Sequence, residues 1–235
     1  MDGALIEVHH AIKDYRGLRP LRVQQFDLHA GESVALLGLD QAMAEVLVNL
    51  LTGAILPDSG TITVFGERTD AIADVEAWVR TLDQFGLISD RAVMLDQLTT
   101  EQNLALPLTL HIKTMPGDVR DRVRELAEEV GLSTVELGTT AGSLAPLSRQ
   151  RLRFGRALAL NPRVVLAEHP NAPLSRPDTL AFANVFKHVV SRRGIAAATL
   201  TADSEFARTI SSRVLTLQPA TGLLKPSSGW RRWLS

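Results

Sequence analysis

The chain of 235 residues has no cysteine, only 5% aromatic residues and a formal net charge of −1. The absence of cysteine excludes a disulfide framework and thiolate metal sites, and it suits a cytosolic protein. The balanced charge gives the whole chain no electrostatic preference for nucleic acid. No apolar run approaches the ~20 residues that span a bilayer. The acidic start at Met1–Asp2 lacks the basic flank of a signal peptide, so we expect no export signal.

Hydrophobic residues make up 45% of the chain and charged residues 22%, as in ordinary globular proteins. Apolar and β-branched runs predict strands over residues 4–12, 21–28, 33–37, 61–65, 85–89, 163–167, 196–201 and 213–217. Helical spacing predicts helices over residues 42–51, 71–82, 101–110, 118–130, 147–160 and 179–190. Strands and helices alternate at both ends of a helical middle, which predicts an α/β sheet with a helical insertion.

A strand, Gly38 and a helix follow one another over residues 33–51, which is the layout of a phosphate-binding loop. Residues 51–62 (LTGAILPDSGTI) and 98–108 (LTTEQNLALPL) resemble segments of ATP-binding-cassette (ABC) transporter ATPases. The second segment is similar to that of cassettes for lipoprotein-release and macrolide-export type transporters. Residues 150–162 resemble the helix that follows the cassette signature. The resemblance implies a P-loop NTPase-like ABC cassette, with a mixed sheet core and a helical subdomain.

The resemblance also implies domain boundaries. Residues 1–89 would form the first part of the ABC core, residues 90–155 the helical and signature subdomain, and residues 156–222 the second part of the core. Residues 223–235 would form a tail in which tryptophan and arginine stand together without a nearby acid, at Trp230, Arg231, Arg232 and Trp233. Such a tail suits a membrane surface, although three basic residues are marginal for anchoring.

The family's phosphate loop has the form G-x-x-x-x-G-K-[S/T], and residues 38–45 read GLDQAMAE. Gly38 is kept, whereas Met43, Ala44 and Glu45 replace the second glycine, the lysine and the hydroxyl residue. Two like charges 4 Å apart repel by about 4 kcal/mol at an effective dielectric of 20, more than the ~0.3–2 kcal/mol of a helix N-terminus. We therefore expect little nucleotide binding, with Asp40 capping the helix where phosphate would sit. An ordinary acidic cap, and weak binding screened by Mg²⁺ at Glu45, remain alternatives.

The other family positions are also replaced. Asp90 stands for the glutamine that senses Mg²⁺, Glu168 for the Mg²⁺-associated aspartate and His169 for the general base. Ser175 and Ala202 replace the later aspartate and the switch histidine. The signature LSGGQ becomes Leu144, Ala145, Pro146, Leu147 and Ser148, which lacks the amides and hydroxyl that the family aims at phosphate. Tyr15, the only tyrosine, falls where the family stacks an aromatic ring on adenine; an aromatic residue without a ligand is the alternative.

These replacements predict a pseudo-ATPase subunit that docks on a membrane permease and pairs with another cassette, as a heterodimer or a homodimer. We expect no catalytic residue, no metal site and no cofactor, since ATP and Mg²⁺ are implied only by the family. The expected location is cytoplasmic, peripheral at the inner face of the cell membrane. Two alternatives remain, a divergent and weakly active ATPase supported by Glu168, His169 and Tyr15, and a cytosolic scaffold or regulator on the same fold.

The family binds permease helices in a groove between the core and the helical subdomain, which residues 90–108 would cover here. Residues 91–95 (RAVML) are fairly apolar, and we expect them to be partly exposed, as a docked helix would require. Ordinary packing beneath the helical subdomain is the alternative.

Overall fold

The computed structural model describes residues 3–227 and contains two sheets in this range. The smaller sheet is antiparallel, with the strand order β2-β1-β4-β5. Its strands are β1 (Ile6–Lys13), β2 (Leu21–Leu28), β4 (Ser59–Val64) and β5 (Glu67–Arg68). Buried and exposed side chains alternate along much of β2, as expected of a strand with one face on a core.

The larger sheet has the order β10-β9-β3-β8-β7-β6 and is parallel except for β10 at one edge. It comprises β3 (Ser33–Leu37), β6 (Phe85–Ile88), β7 (Val164–Glu168), β8 (Ala196–Leu200), β9 (Arg213–Gln218) and β10 (Leu223–Pro226). Every residue of β7 and β8 is buried, which explains their continuous apolar sequences.

Helices cover both faces of the larger sheet. Helix α1 (Gln41–Leu51) packs with residues of both sheets in a first hydrophobic core. Helices α7 (Arg176–Arg193) and α8 (Ser204–Ile210) contribute to a second core on the other side, where Phe154, Phe182, Phe186 and Phe206 meet. Helix α2 (Val75–Leu82) precedes β6.

Four helices lie between β6 and β7 and form the predicted helical insertion. They are α3 (Thr100–Ala105), α4 (Gly117–Glu129), α5 (Thr134–Gly138) and α6 (Pro146–Ala157). Complete capping boxes begin α3 and α5, with Thr99 and Ser133 as the capping residues. The mixed α/β cassette core and the helical subdomain are therefore confirmed.

Some boundaries differ from the sequence predictions. Helix α2 begins at Val75 instead of residue 71, because Asp74 accepts a hydrogen bond from the Ala77 amide and a 3₁₀ turn occupies Thr69–Ala71. Helix α3 ends at Ala105, five residues before the predicted end. The tail assigned to 223–235 begins with a strand, since β10 pairs with β9. Its residues from 228 onward lie outside the described range. Between residues 3 and 227, no helix is long and apolar enough to cross a membrane.

Candidate functional site

The carboxyl ends of β3, β6, β7 and β8 meet at one edge of the larger sheet, because these strands are parallel and in register. Four segments leave the sheet there, and we call them together the strand-end site. They are residues 38–45, 89–91, 168–175 and 201–203. Ligands of open α/β sheets bind outside the carboxyl ends of the strands, so this edge is the place to seek a site.

Asp40 caps the N-terminus of α1. Its carboxylate accepts a hydrogen bond from the Met43 amide at 2.8 Å, and its backbone carbonyl accepts from the Ala44 amide at 2.9 Å. The predicted cap is confirmed as a hydrogen bond. Gly38 is needed for the turn, since its φ is +83° and a Cβ there would lie 2.7 Å from the Leu217 carbonyl oxygen.

Arg91, which the sequence analysis placed in the segment 91–95 for permease docking, lies at the centre of the strand-end site. Its guanidinium forms an ion pair with Glu168, whose side chain is only 1% exposed. It also lies 3.4 Å from a Glu45 carboxylate oxygen and donates a 3.3 Å hydrogen bond to the Asn49 side-chain oxygen. The Ser89 hydroxyl donates to the second Glu168 oxygen at 2.8 Å.

In this cluster Glu45, which the sequence places in the acidic loop, lies beside a cation of the same chain. The hydrogen bond with Glu168 raises the pKa of Arg91, so the guanidinium remains charged. Its immediate neighbour, Asp90, faces the helical subdomain, where it pairs with Arg153 at 2.9 Å. A basic residue directly after the family's glutamine position was the sequence signal that could have pointed to Arg91.

His169 has an unusual backbone conformation, with φ of +41°, and its amide donates to the Leu200 carbonyl at 2.8 Å. Its Nε2 is buried and has no hydrogen-bond partner among the described residues. Asn171 instead links two neighbouring segments, since it accepts from the Thr201 hydroxyl at 2.9 Å and donates to Asp203 at 3.3 Å. The imidazole Nε2 is therefore a buried polar atom of the strand-end site that the described part of the chain leaves without a hydrogen-bond partner.

Two further predicted positions have purely local contacts. Ser175 caps α7 by accepting from the Asp178 amide at 3.3 Å. Ala202 has no polar side chain, and the neighbouring Asp203 caps α8 through the amides of Glu205 and Phe206. Neither position supplies a free polar group to the strand-end site.

Tyr15 lies beside the strand-end site, as the resemblance implies for its position. It lines a surface cleft of about 280 Å³ together with Leu18, Asp40, Met43 and Leu217. Burial, and secondarily the charge of Asp40, raises the pKa of its hydroxyl. The ring also lies against Gly17, where a Cβ would come within 2.5 Å of it.

The signature positions are placed apart from the strand-end site. Ala145 precedes α6 without a side-chain cap, and Pro146 is the first helical residue, so the helix start lacks one amide donor. Leu144 and Leu147 pack against the second core. Ser148 is buried and donates to Glu136. Between residues 3 and 227, no hydrogen bond joins residues 144–148 to the strand-end site.

A groove opens between the core and the helical subdomain, and we call it the subdomain groove. It has a volume of about 220 Å³ and is lined by Leu82, Phe85, Leu87, Ala92, Pro107, Arg153, Arg156 and Leu160. Val93 is 70% exposed on the predicted segment 91–95, whereas Met94 packs against the second core. The segment is thus partly exposed, as predicted. No cluster of three metal-ligating side chains occurs in residues 3–227.

Comparison with known proteins gives the family. The family model described as "ABC transporter" matches residues 21–172. The chain is 29% identical over 178 residues to the ABC transporter ATP-binding protein YtrE of Bacillus subtilis, which covers 75% of this chain and 76% of that protein. It is 26% identical over 183 residues to the lipoprotein-releasing system ATP-binding protein LolD of Acinetobacter baylyi, which covers 78% and 80% of the two chains.

Solved structures give the same fold. The dimeric bacterial ABC transporter cassette MJ0796 superposes with a TM-score of 0.78 at 20% identity, covering 96% of this chain and all of the other. The cbiO1 protein of Clostridium perfringens superposes with a TM-score of 0.81 at 17% identity, covering 95% and 87%. The fold is that of an ABC cassette. The chain belongs to the ABC transporter family.

Proposed function

We propose that this chain is a catalytically degenerate nucleotide-binding-domain subunit of an ABC transporter, with little or no ATP binding or hydrolysis of its own. The observation that carries the proposal is the ion pair between Arg91 and the buried Glu168, at the position that the family uses for Mg²⁺. A carboxylate already paired with a guanidinium of the same chain is a poor ligand for a divalent cation, because the cation must displace the fixed charge.

The phosphate side of the site supports the same proposal. A phosphate at the start of α1 would need the amides of the first turn, and the Asp40 carboxylate already accepts from the Met43 amide. The position of the family's lysine is held by Ala44, which is fully buried. ATP would thus meet the carboxylate of Asp40 and no lysine ammonium.

The residues at the family's catalytic positions support the same proposal. His169 replaces the family's general base, and the Ala145–Pro146 start of α6 lacks the hydroxyl and one amide of the signature. Each missing donor aimed at developing charge is worth several kcal/mol in catalysis, about 2.7–4 kcal/mol in a well-measured case. In a pair with an active cassette, this chain would therefore contribute one weakened composite site.

We further propose that the chain pairs with a second cassette and docks on a permease at the inner face of the cell membrane. MJ0796 was solved as a dimer, and cbiO1 is described as part of the transporter complex cbiONQ. The subdomain groove has both apolar and charged lining residues, and the exposed Val93 directly follows the lining residue Ala92 in the chain. This groove supplies a surface for a short permease helix. Affinity purification from a membrane fraction should recover both partners; recovery of neither would favour the scaffold alternative.

Titration of the purified chain with Mg-ATP, read by thermal shift and calorimetry, tests the main proposal. We expect no shift and no turnover, with YtrE as the positive control. A ligand present at 100 times its dissociation constant stabilises a protein by ~2.7 kcal/mol, which would raise the melting temperature by several degrees. Sub-millimolar affinity together with hydrolysis would refute the proposal.

The second candidate function is a divergent ATPase with slow turnover. It is favoured by the buried His169 Nε2 without a partner, which in its neutral form could accept a proton. Any activity should then disappear in H169A and persist in H9A, a variant of an exposed histidine on β1. Equal activity of the two variants would eliminate this candidate.

A further inference from the structure

We propose that Arg91 acts as a built-in cation that holds the wall of the subdomain groove in place without nucleotide or metal. This inference rests on the proposed function, because it describes what replaces Mg-ATP at the strand-end site. Its physical basis is a set of contacts made by residues of the segment Ser89–Val93, some to α6 of the helical subdomain and some to the core.

Three residues of this segment are anchored by arginine contacts. Asp90 pairs with Arg153 of α6 at 2.9 Å. Arg91 pairs with Glu168 at the end of β7 and approaches Glu45 of α1 at 3.4 Å. The carbonyl of Val93 accepts a 2.6 Å hydrogen bond from the Arg156 guanidinium, again from α6.

Ser89 completes the anchoring from within the segment. Its hydroxyl donates to Glu168 and accepts from the Arg91 amide at 3.1 Å, while its carbonyl accepts from the Ala92 amide at 3.2 Å. Ala92 in turn lines the subdomain groove. Arg91 and Ser89 both bond to the buried carboxylate of Glu168. This one carboxylate therefore fixes the turn that places Ala92 in the wall of the subdomain groove.

The contacts of Arg91 differ in kind from those of its neighbours. Asp90 and Val93 hold the segment to the helical subdomain, whereas Arg91 holds it to the core. Arg91 and Ser89 together therefore connect the end of β7 to the segment that forms the groove wall, and Arg91 is the charged member of the two. The cation that compensates Glu168 is the guanidinium of Arg91, which is part of the chain and not a ligand. We therefore expect the subdomain groove to keep one shape whether or not Mg-ATP is present.

Hydrogen–deuterium exchange of the intact chain tests this inference. In R91A we expect the amides of Arg91 and Ala92 to exchange about tenfold faster or more, as local opening becomes easier. R91K should give an intermediate rate, since lysine keeps the charge but loses the fork of donors. R80A, which removes a 64% exposed arginine of a surface pair on α2, should leave these amides unchanged.

R91A leaves the buried carboxylate of Glu168 without a cation and could prevent folding. In that case the double variant R91A/E168Q, which also removes the buried charge, is measured in place of R91A. It should exchange as fast as R91A at residues 91–92, because both variants lack the Arg91 contact with the end of β7 and keep only the contact from Ser89. Exchange at wild-type rate in either variant overturns the inference. The inference is also overturned if, in the wild type, the amides of this segment exchange more slowly after Mg²⁺ or Mg-ATP is added. If nucleotide binding is seen by thermal shift while hydrogen exchange of this segment does not change, the proposed function is contradicted and the inference is supported.

Discussion

The D40A variant gives a quantitative test of how α1 begins. Asp40 supplies a side-chain acceptor for the first-turn amides of this helix, at 2.8 Å from the Met43 nitrogen, and no other residue of the range 3–227 does so. Loss of such a cap costs ~0.5–2 kcal/mol, typically about 1 kcal/mol. In a chain of this size, about 1 kcal/mol corresponds to a fall of ~2–4 °C in melting temperature. D40N should stay close to the wild type, because asparagine caps helices about as well as aspartate.

A matched control lies on α2, where Asp74 accepts from the Ala77 amide with the same 2.8 Å geometry but far from the strand-end site in sequence. D74A should lose a similar amount of stability, read by chemical denaturation. Neither D40A nor D40N should gain a thermal shift with Mg-ATP, because Ala44 and the Arg91–Glu168 pair are unchanged. Our reasoning fails if D40A is as stable as the wild type while D74A is not, or if D40N binds nucleotide.

Three other predictions concern stability. E129Q should destabilise the chain by ~1–3 kcal/mol in urea unfolding, since it weakens the charge-assisted hydrogen bonds that the 6% exposed carboxylate accepts from Arg192 and Arg193, whose side chains are 60% and 16% exposed. E125Q on the same helix should cost under about 0.5 kcal/mol. Burial raises the pKa of Glu129, but the hydrogen bonds from the two arginines outweigh it and leave the pKa lowered. The stability that this carboxylate contributes is therefore present above its unfolded pKa and should be lost as pH falls through the lower folded pKa, a loss that E129Q should not show. G38A should destabilise strongly, by more than 1 kcal/mol, because its Cβ would lie 2.7 Å from a backbone oxygen; G117A, with open space around it, should not.

Sequence patterns predicted most of the large elements but missed the short ones. β2 and β3 begin and end where the apolar runs do. Helices α5 and α8 have five and seven residues, too few for an apolar periodicity to stand out, and their starts depend on the caps Ser133 and Asp203. Strand β10 is exposed or half-buried throughout, so it carries no apolar signal and forms by pairing with β9.

Features of the strand-end site that depend on residues close in sequence could be predicted. Features that depend on residues far apart in sequence could not. The Asp40 cap follows from residues three apart in the chain, and its hydrogen bond is present in the structure. The pairing of Arg91 with Glu168 joins residues 77 positions apart, and the contact exists only because β6 lies beside β7. The carboxylates of Asp40 and Glu45 near the loop are therefore visible in the sequence, whereas the guanidinium that lies beside Glu45 is apparent only from the fold.

That guanidinium also accounts for how the fold persists with a buried acid at the end of β7. Glu168 has a side chain that is 1% exposed, and an unpaired charge there would carry a desolvation penalty of several kcal/mol. In the family this position is associated with Mg²⁺, so its charge is compensated by a ligand. In this chain Arg91 and the Ser89 hydroxyl satisfy both carboxylate oxygens from within. We therefore expect the stability of the folded state to be independent of Mg²⁺ concentration.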